Sequence, residues 1–90
     1  MEAKIICYTL GKKNHKERSK LKRELLGYTD KSNNGQYQYQ RKGLLQTIPN
    51  IRPIRSVVIT KKEDSIKVQK LLKKYGAKIH IFDIILKQPI

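Results

Sequence analysis

Apolar positions in this chain gather in short blocks divided by lysine- and arginine-rich stretches, and the spacing within each block predicts its structure. Lys4 to Leu10 (KIICYTL) is apolar and β-branched on both alternating faces, with Ile5, Cys7 and Thr9 on one and Ile6, Tyr8 and Leu10 on the other. That pattern predicts a central strand. Gly11 to Asn14 then turns the chain. His15 to Leu26 places Leu21, Leu25 and Leu26 at helical spacing before Gly27, where a left-handed C-cap is favoured. Only the second half of this helix has an apolar face to bury.

Tyr28 to Gly35 reads as a polar loop. Gln36 to Lys42 alternates cleanly and predicts a strand with Tyr37, Tyr39 and Arg41 on one face and glutamines on the other. Gly43 to Ile54 sets Pro49 and Pro53 among Leu44, Leu45, Ile48, Ile51 and Ile54, too apolar for a solvated loop and too broken for a long helix. It predicts an ordered connection packed on the core, with one short helical turn. Arg55 to Thr60 is a strand. Thr60 followed by Glu63 predicts a capping box, and Val68, Leu71, Leu72 and Tyr75 form a helical stripe that ends at Gly76. Ala77 to Leu86 is the last strand, parallel to the 55 to 60 strand through a right-handed crossover.

Each half therefore reads strand, helix, strand. Two such units in series predict an α+β fold, a ferredoxin-like βαββαβ sandwich with a four-stranded sheet and two helices on one face. A simple three-strand α/β layer is the alternative. The 90 residues make a single domain, 1–90. In such a sandwich the second sheet face meets water, yet the first and last strands are apolar on both sides. A cover is required, either the 43 to 54 connection or a second copy of the chain, and the expectation is a homodimer through the apolar sheet face.

Charge changes the picture most. Lys and Arg number 21 against 7 Asp and Glu, a formal charge of +14, which points to a polyanionic partner. The apolar blocks are too short for a membrane span or a signal-peptide core, so a cytoplasmic protein without a membrane partner is expected. Cys7 is the one cysteine and sits within an apolar run, which predicts a buried, inert thiol and no zinc cluster.

Candidate chemistry is sparse. Of the seven acids, Glu63 and Asp64 fit the first turn of a helix, and Asp83 stands alone in an apolar strand, beside an edge or paired with a lysine. His15 reads as a surface residue at a helix start and His80 as a half-buried sheet residue. Neither a phosphate-binding glycine loop nor a nucleophile-base spacing occurs, so no enzyme class is favoured and no cofactor or metal is expected. Binding is better founded. The 32 to 45 stretch combines a Gly-bearing turn with Tyr37, Tyr39, Arg41 and Lys42, and no acid occurs from Lys31 through Lys62. The rings suit base stacking and the cations suit phosphates. Lys12, Lys13, Lys16 and Arg18 extend the basic surface along the first helix, and Arg52 and Arg55 along the later connection. If the tyrosines instead packed beneath the helices, only the charge would remain.

In element order the chain resembles the small ferredoxin-like nucleases of CRISPR adaptation, homodimers whose apolar first strand ends in Tyr-Asp. Here that strand ends Tyr8-Thr9, so the resemblance implies the fold and the dimer without the catalytic carboxylate. The pattern of Ser32 to Pro49 also looks like that of small basic archaeal proteins. The leading expectation is a nucleic-acid-binding protein, for RNA or DNA, working through a basic surface with tyrosine stacking. The alternatives are a ferredoxin-like metal-dependent nuclease using Asp83 or the histidines, and a protein-interaction subunit of a ribonucleoprotein.

Overall fold

A computed structural model describes residues 1 to 12, 14 to 32 and 35 to 90. The N-terminal apolar block forms β1 (Glu2–Thr9), and the Asn14 side chain starts α1 (His15–Leu26) by accepting from the Glu17 N–H at 2.9 Å. The chain continues through β2 (Tyr28–Ser32), β3 (Tyr37–Arg41), a 3-10 turn over Leu44–Gln46, β4 (Asn50–Ile51), β5 (Val57–Lys61), α2 (Ser65–Lys74) and β6 (Lys78–Ile85). These make a mixed α+β structure with two sheets. One is four-stranded and antiparallel in the order β4-β5-β1-β6, and the other is the β2-β3 hairpin alone.

The two helices share one face of the larger sheet. Leu21 and Leu25 of α1 and Val68 and Leu72 of α2 meet Ile6 and Val58 in a single buried cluster. Leu45 and Ile48 of the 43 to 54 connection join it, as expected of an ordered apolar segment. β5 and β6 flank β1 and both run against it, so they are parallel to each other without touching.

Several expectations need correction. Tyr28 to Ser32 is a strand where a polar loop was expected, and it pairs with Tyr37–Arg41 from Tyr28↔Arg41 to Ser32↔Tyr37. The Tyr-Gln strand therefore does not join the main sheet. Neither of its faces is apolar enough for a core, and β3 is exposed along its whole length. Its place beside β5 falls to Asn50–Ile51, a strand kept to two residues between Pro49 and Pro53. The Asn33-Asn34 part of the expected turn lies outside the described residues.

The capping box is also absent. Thr60 is fully buried in β5, its hydroxyl donating to the Lys61 carbonyl, and a 3-10 turn over Lys62–Asp64 separates it from α2. Gly27 has φ 80° and ψ 176°. That is an extended positive-φ conformation, nearly exclusive to glycine, and it sends the helix straight into a strand where a left-handed cap was expected.

The connection does not cover the far sheet face. Register places Ile5, Ile59, Phe82 and Ile51 together there, with Cys7, Val57, His80 and Ile84 alongside. Cys7 is half-buried and His80 exposed, where a buried thiol and a half-buried imidazole were expected. Leu45 and Ile48 went to the helix side because the connection starts at Gly43, which lies against the end of α1 on that side. No helix among the described residues is long and apolar enough to cross a membrane.

Candidate nucleic-acid interface

The hairpin joins the domain where Gly27 meets Gly43. Gly27 and Gly43 lie back to back, so a Cβ on Gly43 would strike the backbone of Leu25, Leu26 and Gly27. A Cβ on Gly27 would likewise strike the Arg41 carbonyl. Gln46 completes the joint, its side-chain oxygen accepting from the Gly43 N–H at 3.0 Å. Backbone contact this close is available only to glycine, and it lets the two hairpin ends leave the domain side by side.

Strand alternation then sorts the hairpin. Tyr37, Tyr39 and Arg41 share a face with Tyr28 and Asp30 of the neighbouring strand. Tyr37 is 53% and Tyr39 52% exposed, so the rings do not pack beneath the helices. Tyr28 joins this aromatic face at 39% exposure, with the Arg23 guanidinium 5.0 Å from its ring centroid. Arg41 lies 5.9 Å from the Tyr39 centroid and 3.4 Å from the Asp30 carboxylate. Its charge is therefore shared with an acid that the sequence places eleven residues earlier. On the opposite face the Gln40 amide donates to the Thr29 hydroxyl at 2.9 Å.

The other expected residues separate into two groups. Lys12, Lys16 and Lys42 are exposed on the turn, on α1 and just after β3, and Lys13 lies outside the described residues. Arg18, Arg52 and Arg55 converge, with Lys22, on a cleft of about 330 Å³ between the end of β1, α1 and the segment joining β4 to β5. Arg18 is held there by donating to the Gly11 carbonyl. Tyr8 lines the same cleft, and burial pushes its hydroxyl above the ordinary tyrosine value while Arg52 pulls it back.

Tyr28, Tyr8 and Ser56 are the residues that sequence reading missed. Tyr28 had one signal, its place in a short segment between a glycine and the Asn-Asn-Gly that precedes the Tyr-Gln strand. Tyr8 and Ser56 had none, since only folding brings them beside Arg52. As for the acids, Asp83 is exposed and pairs with Lys4 at 2.9 Å. Among the described residues no three His, Cys, Asp or Glu side chains gather as a metal site would require. No family model, curated protein or solved structure matches this chain.

Proposed function

We propose that this protein binds single-stranded RNA or DNA, laying bases on the tyrosine face of the hairpin and phosphates on the surrounding cations. The observation that carries this reading is the pair Tyr37 and Tyr39, two rings more than half exposed on one face of a strand that buries nothing. Leaving two large rings in water without a fold-level reason is what a stacking platform requires, and such stacking contributes about 1 to 3 kcal/mol per base. The net charge of +14 supplies the sequence-independent attraction to phosphate. Anisotropy titrations of labelled single-stranded and duplex oligonucleotides at several salt concentrations test it. Replacing both tyrosines with leucine is expected to cost single-strand affinity about tenfold or more, and duplex affinity little. Equal binding by parent and variant would remove the stacking role.

The scaffold fits a ferredoxin-like arrangement whose second strand is reduced to Asn50–Ile51 and into which the hairpin is inserted. The order β4-β5-β1-β6, with a helix following β1 and another following β5, supports that description. A second copy of the chain suits the far sheet face, where Phe82 is 56% and Ile51 43% exposed among other apolar side chains. Sedimentation at high salt, which weakens repulsion between the charged copies, is expected to show a dimer. A monomer at all concentrations would exclude it.

A further inference from the structure

Two hollows in the surface differ in their charge. The larger, about 680 Å³, is lined by Lys4, Asp83, Glu2 and Lys62 among others, and these form two ion pairs, Lys4–Asp83 at 2.9 Å and Lys62–Glu2 at 3.8 Å. The cleft of about 330 Å³ brings together Arg18, Lys22, Arg52 and Arg55, and among the described residues no acid lines it. Four like charges around one concavity repel each other unless an anion joins them. Its apolar lining is the half-buried Tyr8, Leu10 and Leu26, with the buried Leu21 and Leu25 behind them.

We infer that this cleft binds the phosphate monoester of one nucleotide, the phosphate on the arginines and the base against Tyr8, Leu10 and Leu26. A monoester carries about 1.5 to 2 negative charges at neutral pH, and guanidinium groups recognise it with paired, charge-assisted hydrogen bonds. The volume lies at the small end of the roughly 300 to 1,000 Å³ typical of ligand sites, which fits one nucleotide and not a length of strand. The backbone adds an independent sign. Ser56 has φ 67°, the one positive φ outside glycine among the described residues, and its carbonyl accepts from the Tyr8 N–H at 2.9 Å. The Val57 N–H reaches back to the Ile54 carbonyl at 3.4 Å, closing a turn that has Arg55 and Ser56 at its corner. Glycine usually fills such a position. Serine there costs backbone strain that glycine would not, and it stands exposed among the residues that line the cleft, where its hydroxyl is open to a ligand.

The cleft also leads towards the hairpin, because Leu26 lines it and the next residue, Gly27, begins the hairpin joint. The nucleotide is then the phosphorylated end of the strand proposed above, and that part of the inference rests on the nucleic-acid reading, whereas the cleft itself does not. Calorimetric titration with inorganic phosphate, adenosine, adenosine 5′-monophosphate and one single-stranded oligonucleotide bearing a 5′-phosphate, a 3′-phosphate or hydroxyl ends separates the cases. The monophosphate is expected to bind about tenfold or more tighter than either adenosine or phosphate alone, and one terminal phosphate to raise strand affinity by a similar factor. In an Arg52→Gln/Arg55→Gln variant the ratio of phosphorylated to hydroxyl-ended affinity should fall to about one. Ser56→Gly should lower monophosphate affinity without lowering the melting temperature, since glycine relaxes the turn. Hydroxyl-ended and phosphorylated strands binding alike in the parent, with no binding of the monophosphate, would overturn the cleft and leave the nucleic-acid reading standing. Binding of the monophosphate but of no strand would keep the cleft, with a free nucleotide as its ligand, and remove the nucleic-acid reading. An unchanged ratio in the double variant would overturn the assignment of the arginines.

Discussion

The helix-covered sheet and the β2-β3 hairpin obey opposite rules. In the layer, Ile6, Val58, Val68 and Leu72 are fully buried, and even the buried hydroxyls of Thr60 and Ser65 are hydrogen-bonded, to the Lys61 and Lys62 carbonyls. In the hairpin, β3 buries nothing and its tyrosines face water. A two-stranded hairpin without a core is marginal in water, so this one depends on its attachment at Gly27 and Gly43. Residues in the layer answer to packing. Those on the hairpin face are released from it, and the choice of tyrosine, arginine and glutamine there needs a reason outside the fold.

Breaking the comparison begins with stability. Leu72→Ala removes a fully buried side chain from the shared cluster and is expected to cost about 2 to 5 kcal/mol in denaturant unfolding. Tyr39→Leu, on the exposed face, should stay within about 0.5 kcal/mol. Comparable losses from the two would mean that the hairpin is part of the cooperative core.

The contrast also explains what the sequence disclosed. Elements with an apolar period were legible: the expected α1 bounds, His15 to Leu26, match the structure, and the α2 stripe of Val68, Leu71, Leu72 and Tyr75 packs as its spacing required. The strand Tyr28 to Ser32, which has none, was not. Tyr28 to Ser32 carries no apolar alternation, because a strand paired only with another exposed strand has no buried face to record in its sequence. The Thr60-Glu63 pattern misled for a related reason, since a small hydroxyl residue also suits the crowded centre of a sheet, and burial of Thr60 won over capping. Of the candidate interface, the exposed tyrosine face was readable from the alternation of Tyr37, Tyr39 and Arg41. The convergence of Arg18 with Arg52 and Arg55 was not, because it depends on how the β4–β5 segment crosses the end of β1.

The joint between the regions supplies the next effect. Gly43→Ala forces a methyl group into the backbone of Leu25, Leu26 and Gly27, and overpacking of this kind costs about 1 to 3 kcal/mol. Hydrogen exchange should show where the cost is relieved. If the hairpin is an appendage, its amides lose protection while those of β1 and β5 keep theirs. Uniform loss across both sheets would make the joint part of the core.

A smaller effect sharpens the functional side. Asp30 holds Arg41 at 3.4 Å on the tyrosine face, so it both occupies the guanidinium and repels phosphate. Asp30→Asn is expected to tighten single-strand binding a few-fold and to steepen the salt dependence by about one phosphate contact. Weaker binding in this variant would show instead that the pair is needed to shape the hairpin face.

The smallest expected effect lies in the layer, where Lys74 of α2 donates to the Glu24 carboxylate of α1 at 3.1 Å and joins the helices across their surface. The hydrogen bond from Lys74 holds the Glu24 carboxyl below its usual range, and the same contact raises the Lys74 ammonium. A lowered carboxyl contributes stability that is present above its unfolded value, about 4.3, and is lost as pH falls through the folded value. A raised ammonium contributes stability that is present below its unfolded value, about 10.4, and is lost as pH rises through the folded one. Between those limits Glu24→Gln should melt slightly below the parent, and the two should converge in acid. The gap should also shrink in high salt, because both groups are largely in water. A large gap that survives salt would mean that charge, and not the apolar cluster of Leu21, Leu25, Val68 and Leu72, fixes how the helices sit on the sheet.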